Sequence, residues 1–218
     1  MRWSHNLAYA VGLITTDGGL SKDDRHISFT SKDLEQITNL AKALRVDNKI
    51  GTKIGGYSTT KKYFVLQFGN KKLYSELISI GLFPNKSKHL GSLIIPSKYF
   101  ADFLRGHLDG DGHTYSYWDK RWKSSFLLYT GFCSASERHL IWLRDTIRSL
   151  YLISGKIKFT ERSLYHLIYA KGASLVLLSK LYYKPNILYL SRKKDKIDRS
   201  LGIIHKQAGM LKLVDRHA

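Results

Sequence analysis

Gly12-Leu13-Ile14-Thr15-Thr16-Asp17-Gly18 and Gly106-His107-Leu108-Asp109-Gly110-Asp111-Gly112 are one pattern written twice. Both read Gly-x-aliphatic-x-x-Asp-Gly, and the offset is 94 residues at each end, from 12 to 106 and from 17 to 111. Each closes a run with helical periodicity and precedes strand-like sequence, so the pair predicts two helices that stop at an aspartate. A carboxylate there faces the negative end of the helix macrodipole, at a cost of ~0.3–1 kcal/mol. A single Asp-Gly is ordinary turn chemistry. The same unfavourable placement repeated points to a compensating cation, and metal is the candidate.

The glycines agree with this. Gly12, Gly106 and Gly110 each cost about 1 kcal/mol against alanine inside a helix. Ala8, Gly12 and Thr16 form a stripe of small residues at i, i+4 spacing, and Gly106 and Gly110 form another. Such stripes let two helix backbones approach closely. If these two helices pack on each other, Asp17 and Asp111 arrive side by side.

On these residues, Ala10–Gly18 and Leu104–Gly112 resemble the two motifs of a single-chain LAGLIDADG homing endonuclease. The second, preceded by Phe103-Leu104-Arg105, is the closer match. In the first, Thr15 and Thr16 replace the family's usual Asp and small residue, while the final acidic position is kept as Asp17. The resemblance spans roughly residues 4–195. It implies a monomer in which two motif helices form the interface between halves, each half laying a four-stranded antiparallel sheet on double-stranded DNA. It implies Mg²⁺-dependent hydrolysis of both strands at a long pseudo-palindromic site, with cohesive ends carrying 5′-phosphate and 3′-hydroxyl groups. Metal is expected at Asp17 and Asp111 with Thr16 and Gly110 beside them. Mn²⁺ is expected to substitute, and Ca²⁺ to support binding without cleavage. Lys86 takes the place of a family lysine or arginine that polarises solvent or phosphate. Its counterpart is Arg192 or Lys193, with Lys193 favoured, and solvated lysine is the ordinary alternative for each. The resemblance also implies a coding position inside a mobile intron or intein, and an intron-encoded or stand-alone gene is the expectation here.

The composition suits that reading. Against 36 Lys+Arg there are 17 Asp+Glu, a net charge of +19 that calls for an anionic partner, nucleic acid first. Hydrophobic residues make up 43% of the 218, enough for a proper core. No run of about 18 apolar residues is present, and the basic residues are scattered through predicted strands, so a membrane partner is not expected. Residues 1–7 lack a signal or transit pattern, and a soluble, intracellular protein is expected. The single Cys133 excludes an intramolecular disulfide and a cysteine-cluster zinc site; it reads as a buried or half-buried strand residue.

Along the chain the reading is α+β: two tandem α-β-β-α-β-β-α units related by a pseudo-twofold. They are placed at residues 1–92 and 93–195, with a basic, helical tail over 196–218. Ser4 or Asn6 caps the first helix and Ser31 or Asp33 the second. Pro96-Ser97 restarts the series, with proline ahead of a capping serine.

Recognition is expected on the sheets, whose strands alternate faces. Lys22, Arg25, Lys53, Tyr57, Lys61 and Lys62 fall in the first half's hairpins. Tyr117, Trp118, Lys120, Arg121, Trp122, Lys123, Lys156, Lys158 and Arg162 fall in the second's. Such groups meet phosphates and guanine edges in a major groove, and an ordinary solvated hairpin tip is the alternative for about half of them. Asp109 reads as a helix-end hydrogen-bonding group, and His107 as a packed histidine without a catalytic role. Two rivals keep the same fold: an RNA-binding maturase acting on its own intron, and a non-catalytic DNA-binding regulator.

Overall fold

Ser4 caps the first helix, its hydroxyl accepting from the Leu7 amide at 3.1 Å. The computed structural model describes residues 1–54, 62–122, 125–160 and 164–214. In the first half, α1 (His5–Asp17) passes straight into β1 (Gly18–Leu20), followed by β2 (His26–Ser31), α2 (Leu34–Leu44), β3 (Gly51–Ile54), β4 (Lys62–Gly69) and α3 (Lys71–Ser79). The second half repeats the order with α4 (Phe100–Asp109), β5 (His113–Trp118), β6 (Phe126–Ser134), α5 (Glu137–Tyr151), β7 (Lys156–Thr160), β8 (Leu164–Tyr169) and α6 (Lys171–Leu181). The two four-stranded sheets run β1-β2-β4-β3 and β5-β6-β8-β7, antiparallel throughout. This is the expected pair of α-β-β-α-β-β-α units.

Strand register sorts the side chains by face. Ile27 pairs with Phe68 and Phe29 with Leu66, and these apolar pairs are buried on the helix side. Leu128, Thr130 and Phe132 do the same in the second sheet. The other faces carry Ser28, Gln67 and Lys53 in one sheet and Tyr115, Tyr129 and Lys158 in the other.

The two halves meet at α1 and α4, where glycine is a steric requirement. A Cβ on Gly12 would lie 2.1 Å from the Phe103 carbonyl oxygen, and one on Gly106 would lie 2.1 Å from that of Tyr9. Backbone therefore packs on backbone. The middle of α1 is buried on every side, without a break from Ala8 to Thr15.

Three local expectations are corrected. Ser97 does not cap the second motif helix: Ser97–Tyr99 form a 3₁₀ turn, and α4 begins at Phe100. Asp33 occupies the cap position of α2 with no side-chain cap bond, because its carboxylate accepts from the Arg192 guanidinium instead, at 2.7 Å. Asp111 lies two residues beyond the last residue of α4, since Gly110 takes φ −72° and ψ −102° and breaks the helix.

The tail is part of the body of the protein. α7 (Ser191–Val214) packs beside β5 and β6, burying Ile197 and Ile204, and Ser200 meets Ser116 hydroxyl to hydroxyl at 2.9 Å. Its start is tied to the first half. Arg192 pairs with Asp33 at 2.7 Å, Ser191 donates to Glu35, and Asn39 donates to the Tyr189 carbonyl at 2.8 Å. No helix among the described residues is long and apolar enough to cross a membrane.

Candidate functional site

Asp17 ends α1, Asp111 follows α4, and the close crossing of those helices brings their ends together. Gly110 abuts the other motif: a Cβ there would lie 1.9 Å from the Thr16 hydroxyl and 2.9 Å from Asp17 Oδ2. The four residues expected at a metal site, Asp17, Thr16, Asp111 and Gly110, therefore form one cluster. Burial first, and then the Asp111 charge, push the Asp17 carboxyl up from 3.8 to about 6. The surrounding protein pushes Asp111 upward as well. Asp111 is nonetheless exposed, so solvent moderates its shift. Two adjacent carboxylates, both held above their ordinary range chiefly by burial, amid neighbouring oxygen donors, suit a hard divalent cation.

Two lysines flank the pair in matching positions. Lys86, buried in a 3₁₀ turn (Lys86–Lys88), donates to the carbonyl of Gly18, the residue after Asp17. Lys193, in the first turn of α7, donates to the carbonyl of Gly112, the residue after Asp111, at 2.7 Å. It also donates to Leu108 and Gly110, at 2.7 and 2.8 Å, so all its N–H groups are engaged. Burial lowers both lysines to about 8, while the nearby aspartates favour the charged form. Lys193 thus occupies the counterpart position, and Arg192 turns away to Asp33.

Gln36 was not legible as a site residue. Its side chain is buried, donating to the Asp109 carbonyl at 3.1 Å and reaching Asp17 Oδ2 at 3.5 Å, while its Oε1 accepts from Ser31. It therefore touches both motifs. Its counterpart, at the offset of 103 that relates 31 to 134 and 36 to 139, is His139. His139 Nε2 lies 3.1 Å from His107 Nε2 in a stacked, fully buried pair. Burial holds both imidazoles below their ordinary range and therefore neutral. This agrees with a packed His107. Asp109 accepts from the Tyr9 hydroxyl at 2.8 Å and the Leu190 amide at 2.9 Å, the helix-end role expected of it. A cleft of about 190 Å³ opens beside Thr16 and Asp111 and reaches Ser87, Cys133 and His139.

The recognition residues divide by face. Lys53, opposite Tyr63, lies on the outer face of the first sheet, and Lys156 and Lys158 lie on that of the second. Lys22 and Arg25 stand exposed in the β1–β2 turn. Lys120, Arg121 and Trp122 are exposed in the β5–β6 connection, with Arg121 paired to Asp119 at 3.1 Å. Lys62 and Trp118 fall on the helix side because strand alternation puts them opposite Ile54 and Phe126. Trp118 packs edge-on against Phe126 with centroids 5.1 Å apart, so it does not belong to the outer face. Tyr57, Lys61, Lys123 and Arg162 lie outside the described residues. What the sequence reading missed is that Tyr117 belongs to a tyrosine stack with Tyr115 and Tyr129. Tyr115, Tyr117 and Tyr129 share the outer face, the rings of Tyr115 and Tyr129 lying 4.9 Å apart. The i, i+2 spacing of Tyr115 and Tyr117 was the available signal.

No protein-family model and no curated protein matches the sequence. Solved structures do resemble it. The I-LtrWI LAGLIDADG homing endonuclease bound to target DNA has a TM-score of 0.58 at 12% identity, over 97% of this chain and 96% of that one. I-DmoI in complex with DNA and Mn gives 0.51 at 18%, over 81% and 96%. Full-length DUF199/WhiA from Thermatoga maritima gives 0.58 at 16%, over 98% and 68%. The chain has the LAGLIDADG fold.

Proposed function

We propose that this chain is a site-specific DNA endonuclease of the LAGLIDADG type, cutting both strands of a long pseudo-palindromic duplex as a monomer. The observation that carries the reading is the pair Asp17 and Asp111, held together at the ends of two glycine-packed helices. Asp17, Asp111, Thr16 and Gly110 fit a divalent cation, Mg²⁺ or Mn²⁺, through hard oxygen donors. When bound, such an ion neutralises charge on the scissile phosphate and makes water a stronger nucleophile. The chain's own residues do the rest. Gln36 and the Gly12–Gly106 crossing fix the two carboxylates relative to each other. Lys86 brings an ammonium beside Asp17, suited to polarise solvent or balance phosphate charge. Lys193 pins the carbonyls around Asp111 and acts as a positioning residue. The outer faces of both sheets supply lysines for phosphate and tyrosines for contact with sugar and base edges.

Likeness to DUF199/WhiA as well as to homing endonucleases keeps a DNA-binding protein without catalysis as the second reading. A cleavage selection on a randomised duplex library separates the two. Cut ends clustered on one imperfectly symmetric sequence, in Mg²⁺ and with the wild type only, support the nuclease. Sequence-specific retention in Ca²⁺ without cutting in Mg²⁺ would replace it with the second reading. Retention of intron RNA alone would point to a maturase.

A further inference from the structure

Next to the motif aspartates, whose cleft reaches Cys133, three further side chains of metal-binding type converge on the outer face of the second sheet. Cys133 Sγ lies 3.4 Å from His113 Nδ1 and 3.2 Å from His166 Nδ1. One ligand atom from each residue lies within 4.8 Å of the others. The three come from the neighbouring strands β5, β6 and β8: Cys133 pairs with His166, and His113 pairs with Gly131. Glycine at 131 makes the convergence possible. A Cβ there would lie 2.6 Å from both Cε1 and Nε2 of His113, so the imidazole lies over bare backbone. On its other side it stacks with Tyr115 at 6.0 Å. All three residues are partly accessible, so an ion can enter from solvent.

The fold itself does not demand this cluster. The first-half position equivalent to His113, at the offset of 94 from 19 to 113, is Gly19. By strand pairing, Cys133 and His166 correspond to Thr30 and Val65. None of those side chains is a transition-metal ligand of this type. The ordinary alternative is a thiol donating to one imidazole and accepting from the other.

We propose that His113, Cys133 and His166 form a binding site for a thiophilic transition-metal ion, Zn²⁺ first, distinct from the site at Asp17 and Asp111. A tetrahedral zinc with Zn–S of ~2.3 Å and Zn–N of ~2.0–2.1 Å separates sulfur and nitrogen by about 3.6 Å. The two sulfur–nitrogen distances of 3.4 and 3.2 Å fall within a few tenths of an ångström of that value. Three ligands leave a fourth position open to the outer face. On binding, the Cys133 thiol gives its proton to solvent and its sulfur becomes the ligand. A set of two nitrogens and one sulfur is a poor host for Mg²⁺, which demands oxygen.

Cobalt(II) titration of the full chain tests this, carried out in an Asp17→Asn, Asp111→Asn background so that the carboxylates do not compete. One equivalent is expected to bind, with a thiolate-to-cobalt charge-transfer band and the intense visible bands of four-coordination, and zinc should bleach both. Cys133→Ser should lose the charge-transfer band. His166→Gln should weaken binding by at least about tenfold, with circular dichroism confirming that each variant folds. A chain that takes up no cobalt, or shows no thiolate band at saturation, overturns the proposal, as does unchanged affinity in both variants.

Discussion

Asp17 is a carboxylate placed where its own chain disfavours it, and that sets what can be measured. Its pKa in the folded protein is raised to about 6, by burial first and by Asp111 second. A carboxyl raised above its unfolded value of ~3.9 contributes stability that is complete below that value and lost as pH rises through about 6. In chelator at pH 8, Asp17→Asn should therefore stabilise the protein by about 1–2 kcal/mol, partial exposure trimming the full value. At pH 4 the effect should nearly vanish. Urea denaturation at the two pH values measures it; equal effects at both would remove the electrostatic explanation. Saturating Mg²⁺ should stabilise the wild type more than this variant, because a ligand stabilises only the state that binds it. Lys86 gives a second outcome at this scale. Lys86→Met should lower cleavage about 10²-fold or more while DNA affinity stays within a few-fold, as single-turnover rates and Ca²⁺ binding would record. A parallel loss of affinity would make Lys86 a binding residue. The motif aspartates could be named from sequence because glycine and helix periodicity flank them. Gln36 could not, since a glutamine in a helix's first turn becomes informative only when α2 lays it across both motifs.

At the scale of elements, the α1–α4 crossing is the feature on which the site depends. Gly106→Ala gains about 1 kcal/mol of helix propensity, yet its Cβ would meet the Tyr9 carbonyl at 2.1 Å. The clash should win by about 1–3 kcal/mol, read as a lower denaturant midpoint, with cleavage falling further because Asp17 and Asp111 move apart. A variant as stable as the wild type would show that the helices stand farther apart than described. Helices and strands were legible where a strong period or a cap marked them, as in α1, where the expected cap Ser4 is the one observed. The start of α4 was less legible. Pro96-Ser97 has the letters of a helix start, but a 3₁₀ turn intervenes before Phe100. Trp118 was assigned to DNA for its chemistry; its parity along β5 puts it with Phe126 instead.

For the whole molecule, the proposed function puts a net charge of +19 to work through the outer faces of both sheets and the turns beside them. If phosphate contacts dominate, log affinity should fall with log salt at about −0.9 per neutralised phosphate. Filter binding in Ca²⁺ from 50 to 200 mM salt (about a 10³–10⁵-fold loss for 6–10 contacts) tests it; a flat response would argue against binding across the two sheets. By itself the sequence determined the duplication, the order of elements, the repeated aspartates and the strongly basic charge balance. Those follow from local periodicity, helix-ending glycines and summed charge, none of which needs coordinates. Tertiary structure alone decided the rest: that Lys193 and not Arg192 mirrors Lys86, that Gln36 joins the motifs, and that α7 closes on the second sheet. It also decided that His113, Cys133 and His166 meet. Those residues lie 20 and 33 positions apart along the chain, and only the hydrogen-bond register between strands, with a glycine under one ring, turns that separation into contact.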